Sequence, residues 1–319
     1  MDFEPSDDQV ALQQELRRFL EARVTSESRR APAFDRELWR ALAEMGVFGL
    51  RLPEADGGVG LGLAEAAIVF EELGRVAAPG PLLASHLAAG LVDGAASGAT
   101  VVGVLPADAA PVVVEHLDVL DVLLVVGPDG VDRVAPPPAG AAVERPLDPL
   151  TPVHLLDAVP AGERIGGSDL AARLRTEAAL LAAAMQVGLA EAAVRMGTGY
   201  AQQRRQFDRP IGSFQAVKHL LANAQVAVEI ARAAVHAAAV TADDADPAGA
   251  DADADRAVLA ARIVASRAAH RATTANIQVH GGMGYTWELD AHLFLKRSMV
   301  LDVALGPTEA AIDHMAAAL

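Results

Sequence analysis

The sequence contains no cysteine. Disulfides, thiolate metal sites and a cysteine nucleophile are therefore excluded within this chain, and a reducing compartment is expected. Aromatic residues are scarce, 4 % against 52 % hydrophobic overall, so the core must be built largely from Ala, Leu and Val. Positive charge is short as well: 26 Lys+Arg face 42 Asp+Glu, a net charge of −16 at pH 7. Such a chain repels a phosphate backbone, and no nucleic-acid partner is expected. No uninterrupted apolar run reaches the roughly 18–20 residues of a membrane span. The longest candidate, Ala178 to Ala190, contains Gln186 and is followed by Glu191. The acidic start Met1-Asp2-Phe3-Glu4-Pro5 does not read as a secretory leader. Together these absences predict a soluble, cytoplasmic, acidic protein. A G-x-S-x-G nucleophile elbow is also lacking. His219, His270, His280 and His292 show no metal-ligand spacing and read as structural histidines.

A length of 319 residues suits two or three packed domains. The texture divides the chain into an N-terminal helical domain (1–98), a small β domain (99–167) and a C-terminal helical bundle (168–319). Ser6 followed by Gln9 is a capping-box pattern. A second helix is predicted around Phe34 to Met45, with Gly46 as its C-terminal cap. A glycine-rich loop, Arg51 to Gly60, precedes a third helix over Leu63 to Val76, whose polar positions are Glu65, Glu71, Glu72 and Arg75. Thr100 to Leu105, Pro111 to Val114, Val119 to Val126 and Val131 to Val134 read as strands, with Gly127-Pro128-Asp129-Gly130 as a turn. From Ser168, Leu170, Leu174, Ala178, Leu181, Met185, Leu189, Ala192 and Met196 recur every three or four residues, one buried stripe on a long helix. Further helices are predicted over Ser213 to Val240, Arg256 to His280 and Pro307 to the end. The Asp/Ala-rich stretch Thr241 to Asp255 reads as a solvated connection. The fold class is thus mainly α, with a truncated β domain and a C-terminal four-helix bundle.

Two segments carry chemical signal. Arg204-Arg205-Gln206-Phe207-Asp208-Arg209-Pro210-Ile211-Gly212 sits where one long helix ends and the next begins. Its arginines suit a diphosphate clamp, because guanidinium groups bind phosphate oxygens through paired hydrogen bonds and a helix N-terminus adds positive potential. The alternative is a cationic helix end offsetting its own dipole. In Gln278-Val279-His280-Gly281-Gly282-Met283-Gly284-Tyr285-Thr286, three glycines among four residues allow a ligand close to the backbone, or simply stop a helix.

In this order and on this helical background, the two segments resemble those of the acyl-CoA dehydrogenase family. The first is similar to the family's flavin-diphosphate segment and the second to its adenine-side segment. Arg51 to Gly60 with Glu71-Glu72-Leu73-Gly74-Arg75 matches its N-terminal domain. The resemblance implies an FAD-dependent enzyme that oxidises an acyl-CoA thioester to the 2,3-enoyl-CoA, with an electron-transfer flavoprotein as acceptor. A carboxylate base removes the α-proton while hydride leaves the β-carbon. It further implies flavin-diphosphate contacts by Arg204, Gln206 and Phe207, and adenosine contacts by Gln278, Gly281 and Gly282.

The same resemblance exposes a gap. The family's two places for the base fall on Leu305 and Ala178, neither of which accepts a proton. Of the nearby acids, Glu177 is rotated about 100° from Ala178 along the helix and should point off the buried stripe. Glu309 reads as a first-turn acid of the last helix, and Asp302 is short and one turn early. No match to the family's flavin-ring stretch falls between Thr100 and Val159. Resemblance therefore implies the short, base-lacking chain of a heteromeric α2β2 enzyme, whose longer partner subunit supplies the base; the known pairs often act on bulky acyl-CoAs such as steroid side-chain thioesters. Two alternatives stand beside it: a homomeric dehydrogenase with Glu177 or Glu309 as relocated base, and a flavin-free assembly protein of the same fold.

Overall fold

The computed structural model describes residues 5–30, 34–243, 252–303 and 308–317. In chain order the helices are α1 (Asp7–Arg23), α2 (Ser26–Arg29), α3 (Arg36–Glu44), α4 (Leu63–Arg75) and α5 (Leu82–Leu87). Seven strands follow: β1 (Val102–Pro106), β2 (Val112–Glu115), β3 (Val122–Gly127), β4 (Gly130–Val134), β5 (Ala141–Ala142), β6 (Val153–Leu156) and β7 (Glu163–Gly166). Then come α6 (Ser168–Gln203), the short strands β8 (Arg205–Gln206) and β9 (Arg209–Pro210), α7 (Gln215–Asp243), α8 (Ala252–His280), α9 (Ala291–Val303) and α10 (Thr308–Ala317). The chain divides into two compact units, one of Met1–Ser26, Ala67–Ala78 and Leu180–Leu319, the other of Glu27–Ala66 and Pro79–Ala179.

The second unit holds the two larger sheets. One runs β1-β3-β4-β7, with β1 parallel to β3 and the remaining pairs antiparallel; the other runs β2-β6-β5, all antiparallel. Five consecutive buried residues, Val122 to Val126, mark β3 as an inner strand covered on both faces. Ser85 Oγ ties α5 to β1, accepting from Val102 N–H at 3.1 Å. Among the few aromatics, Trp39 packs on Phe48 at 4.3 Å and on Phe34 at 5.3 Å. Asp35 caps α3 by accepting from the N–H groups of Glu37 and Leu38, and Gly46 ends the turn beyond it at φ +80°.

The first unit is helical. The capping box of α1 forms as expected, with Ser6 Oγ accepting from Gln9 N–H and Gln9 Oε1 from Ser6 N–H. Helices α4 and α6 approach until their backbones touch. A Cβ on Gly188 would lie 1.9 Å from the carbonyl oxygen of Glu71, and one on Gly74 2.1 Å from that of Met185. Helix α6 is 36 residues long and holds an 18-residue window apolar enough to cross a membrane, of which 89 % is buried within the protein. This qualifies the expectation drawn from uninterrupted runs, because scattered polar residues do not lower the average enough.

Helix α9 was not expected. Its apolar pattern is broken by Lys296 and Arg297, yet Arg297 is buried, its guanidinium donating to the carbonyl of Ala78 at 3.1 Å. A buried cation that bonds to a distant carbonyl leaves no mark in helical periodicity. Helices α7 and α8 also run further than expected, to Asp243 and from Ala252, and Asp253 and Asp255 stand favourably in the first turn of α8. The middle of the Thr241–Asp255 stretch lies outside the described residues.

Candidate functional site

The arginine segment is a hairpin, where only a helix junction was expected. Helix α6 stops at Gln203, and β8 and β9 pair through Arg205↔Pro210 and Gln206↔Arg209. The two turn residues, Phe207 and Asp208, have φ of 51° and 64°. A two-residue hairpin turn of this hand needs positive φ at both positions, and a phenylalanine there is strained. The guanidinium of Arg205 donates to Asp208 O at 2.5 Å, and Ile211 N–H donates to Arg204 O at 2.8 Å, closing the loop. The turn holds Phe207 85 % exposed, edge-on to Phe214. Arg209 lies over the Phe214 ring at 4.0 Å, a cation–π contact. Arg204 and Gln206 are exposed.

The glycine segment lies at the same end of the bundle. Tyr200, in the last turn of α6, stacks on His280, the last residue of α8, at 4.3 Å. Its hydroxyl points to Met283 Sδ at 3.8 Å. Ala201, Leu221 and Val279 form a small buried cluster on which Ile211 packs. Two segments some seventy residues apart therefore share one foundation. His280 is buried, its Nδ1 2.9 Å from Asn276 O, whereas His219 and His270 are exposed. Gly281 has φ +61°, the left-handed conformation that favours glycine. Gln278, Gly281 and Gly282 are exposed, and a Cβ on either glycine would meet nothing within 4 Å. The result is an open surface with a cationic, amide-bearing hairpin on one side and bare backbone on the other.

The candidate base positions behave differently. Ala178 is buried in α6. Glu177 does not point to solvent as expected: it is buried, and Arg51 holds both of its oxygens, at 2.8 and 3.0 Å. The correction follows from the packing of α6, which buries Glu177 and Ala178 alike, so a 100° rotation does not reach water. Both oxygens of Glu177 are thus already occupied by hydrogen bonds from one guanidinium. Asp302 accepts from the hydroxyls of Ser266 and Thr308, tying α8 to the start of α10. Glu309 is an exposed first-turn acid, as expected. Leu305 lies outside the described residues.

Near the Arg51–Glu177 pair, His86 is fully buried, with Nδ1 2.9 Å from Val47 O. Burial pushes its pKa down to about 4, against the opposing pull of that carbonyl. The unfolded chain therefore binds a proton below pH 6.5 that the folded protein takes up only near pH 4. Stability should fall by about 3 kcal/mol as the pH drops through this window. Urea midpoints measured from pH 7 to 4 check this: the slope should flatten in His86→Gln, and an unchanged slope would refute the assignment.

Glu71, Glu72 and Arg75, which the sequence marks only as polar positions of α4, are all buried. Glu72 accepts from Arg17 and from Arg75 Nε at 2.7 Å, and Arg75 also reaches Glu21 at 2.9 Å. Glu71 accepts from Arg232 at 2.8 Å and faces His236 Nε2 at 3.0 Å. Burial drives the Glu71 pKa up, but the His236 contact and the Arg232 charge outweigh it and hold the carboxyl below its ordinary range. Arg232 also pairs with Glu191 and Glu229. These groups floor an open cleft of about 1100 Å³ among α1, α4, α6 and α7. The available signal was the adjacency of Glu71 and Glu72 on an otherwise apolar helix.

Residues 6–99 match the acyl-CoA dehydrogenase N-terminal domain and residues 166–319 the acyl-CoA dehydrogenase C-terminal domain. The acyl-CoA dehydrogenase IpdE2 of Mycolicibacterium smegmatis is 35 % identical over 288 residues, which cover 86 % of this chain and 85 % of that one. A chain of the ChsE4–ChsE5 complex from Mycobacterium tuberculosis superposes with a TM-score of 0.81 at 28 % identity, over 99 % of this chain and 98 % of that one. The Tcur3481–Tcur3483 steroid ACAD does so at 0.81 and 26 % identity, over 97 % of both chains. With both terminal domains matched and a close relative aligned over most of its length, the chain belongs to the acyl-CoA dehydrogenase family.

Proposed function

We propose that this chain is the flavin-anchoring, base-lacking subunit of a heteromeric FAD-dependent acyl-CoA dehydrogenase. The observation that carries the reading is the shared foundation of the hairpin and the glycine segment at one exposed end of the bundle. The residues there fit the diphosphate and adenosine part of FAD: Arg204 offers a cation, Gln206 and Gln278 amides, and Gly281 and Gly282 leave the backbone uncovered. Phe207, held exposed by a strained turn, adds a flat apolar contact beside the arginine. FAD, when bound, accepts hydride from the β-carbon of the thioester. The base is assigned to a longer partner subunit, because Ala178 cannot take a proton and Glu177 is already engaged by Arg51. One of the similar structures is described as the ChsE4–ChsE5 complex, which supports a two-chain assembly, and another, under the paired names Tcur3481–Tcur3483, as a steroid ACAD, which supports a bulky, steroid-type acyl-CoA. An electron-transfer flavoprotein is the expected acceptor and the cytoplasm the expected location.

The test compares the chain alone with the chain co-purified with its partner. Alone, it should be colourless and inactive; together, yellow and active. In the complex, Arg204→Ala should weaken flavin retention by about 10- to 100-fold, the worth of a charge-assisted phosphate contact. Absorbance at the flavin band after gel filtration reads it directly. Stoichiometric flavin and dehydrogenase activity in the lone chain would overturn the proposal, as would full flavin retention by Arg204→Ala.

A further inference from the structure

The hairpin beyond α6 is held in shape by side chains, because its backbone cannot hold it alone. Strands β8 and β9 have two residues each, and an isolated two-stranded ribbon is marginal at best in water. Its turn residues, Phe207 and Asp208, take φ of 51° and 64°, where glycine is the usual choice. Aspartate tolerates this conformation better than most residues, whereas phenylalanine does not. Pro210 brings no N–H to the ladder. Other contacts compensate. Ile211 N–H donates to Arg204 O at 2.8 Å, and Ser213 Oγ donates to Pro210 O at 2.8 Å. Arg209 lies over the Phe214 ring at 4.0 Å, which fastens the second arm to the residue just before α7. Arg205 donates to Asp208 O at 2.5 Å, and among the described residues it is the one side chain that bonds the backbone of the turn.

The three arginines of the segment are therefore not equivalent. Arg209 is engaged by the Phe214 ring and Arg205 by the turn, while the Arg204 guanidinium is exposed and makes no bond among the described residues. We infer that Arg205 is a positioning residue: by closing a turn that lacks glycine, it keeps Arg204, Gln206 and Phe207 in the arrangement that receives the diphosphate, and it does not itself bind phosphate. The inference rests on the flavin-anchoring reading above. Its physical basis is preorganisation. Without the brace, the strained turn relaxes and the two short arms splay, so binding must restore a shape that the free chain no longer holds. Asp208→Gly removes one of the two strained positions, because glycine takes positive φ without a steric penalty. A turn relieved in this way depends far less on the brace.

Flavin retention by the co-purified complex, read as absorbance after gel filtration, gives the first measurement. Arg205→Ala should weaken retention about tenfold or more in the parent, the worth of one hydrogen bond from a charged donor. In the Asp208→Gly background the same change should cost less than about threefold. Comparison within each background cancels the effect of losing the Asp208 carboxylate. The second measurement needs no flavin. In the full chain alone, amide exchange at Ile211, whose N–H donates to Arg204 O, should quicken about tenfold in Arg205→Ala and return to within about threefold of the parent in the double variant. Arg205 and Asp208 are exposed, so the melting temperatures of all variants should match the parent. An equal loss of flavin in both backgrounds would show that Arg205 grips phosphate itself and would overturn the inference. Full retention by Arg205→Ala, or unchanged exchange at Ile211, would overturn it too. Each of these results leaves the flavin-anchoring reading standing so long as Arg204→Ala loses flavin. Full retention by Arg204→Ala as well would overturn that reading and the inference with it.

Discussion

Gly188→Ala should destabilise the helical unit by about 3 kcal/mol or more. Its Cβ would fall 1.9 Å from Glu71 O and 2.6 Å from Arg75 N. Overpacking inside a core usually costs about 1–3 kcal/mol, because side chains give way. Here both obstructing atoms are backbone, fixed in α4 by its helical hydrogen bonds, so α4 and α6 must separate instead. Separation also strains the bridge in which Arg232 joins Glu71 of α4 to Glu191 of α6, adding to the steric cost. Chemical denaturation of the purified variant measures this. An unfolding free energy within about 0.5 kcal/mol of the parent's would show that the helices give way freely.

Glu72→Ala should destabilise by about 3–5 kcal/mol, the usual effect of removing one partner of a buried pair. Its side chain is fully buried between Arg17 and Arg75, and the Arg75 side chain is 1 % exposed. Without Glu72, Arg75 keeps among the described residues only Glu21, a half-exposed partner that water weakens. Most of the loss is the cost of an unneutralised guanidinium left in the interior, not the value of the original pair. Replacing Glu72 and Arg75 together by Leu and Met should therefore cost less than Glu72→Ala alone. Melting curves of the three proteins decide the matter. Equal losses in the single and double variants would show that packing, not charge, sets the effect.

Much of the fold could be read from local signals. The Ser6–Gln9 box, Asp35 ahead of α3, Gly46 beyond it and the long stripe of α6 each depend on neighbours within a turn or two. The strands β1 to β4 showed as short apolar runs bounded by turns, whereas β5 to β7 did not, being short and without a buried residue. Helix α9 escaped because its buried Arg297 bonds to a carbonyl 219 residues away, which leaves no trace in the local pattern. For the candidate site, the residue types of both flavin-type segments stood out. Their form did not: Phe207 and Asp208 take positive φ without a glycine, the usual mark of such a turn.

By itself the sequence determined the absence of thiol chemistry, the helical texture, the family and the two segments suited to a dinucleotide. It also determined that neither expected base position holds an acid. Only the tertiary structure decided that the segments meet at one end of the bundle, that Glu177 is locked to Arg51, and that Glu71, Glu72 and Arg75 lie inside. The physical reason is the range of the interactions. Caps and helical stripes are set by residues three or four positions apart. Whether a charge is buried depends on what neutralises it, and here those partners stand 55 residues away for Glu72–Arg17, 126 for Glu177–Arg51 and 161 for Glu71–Arg232.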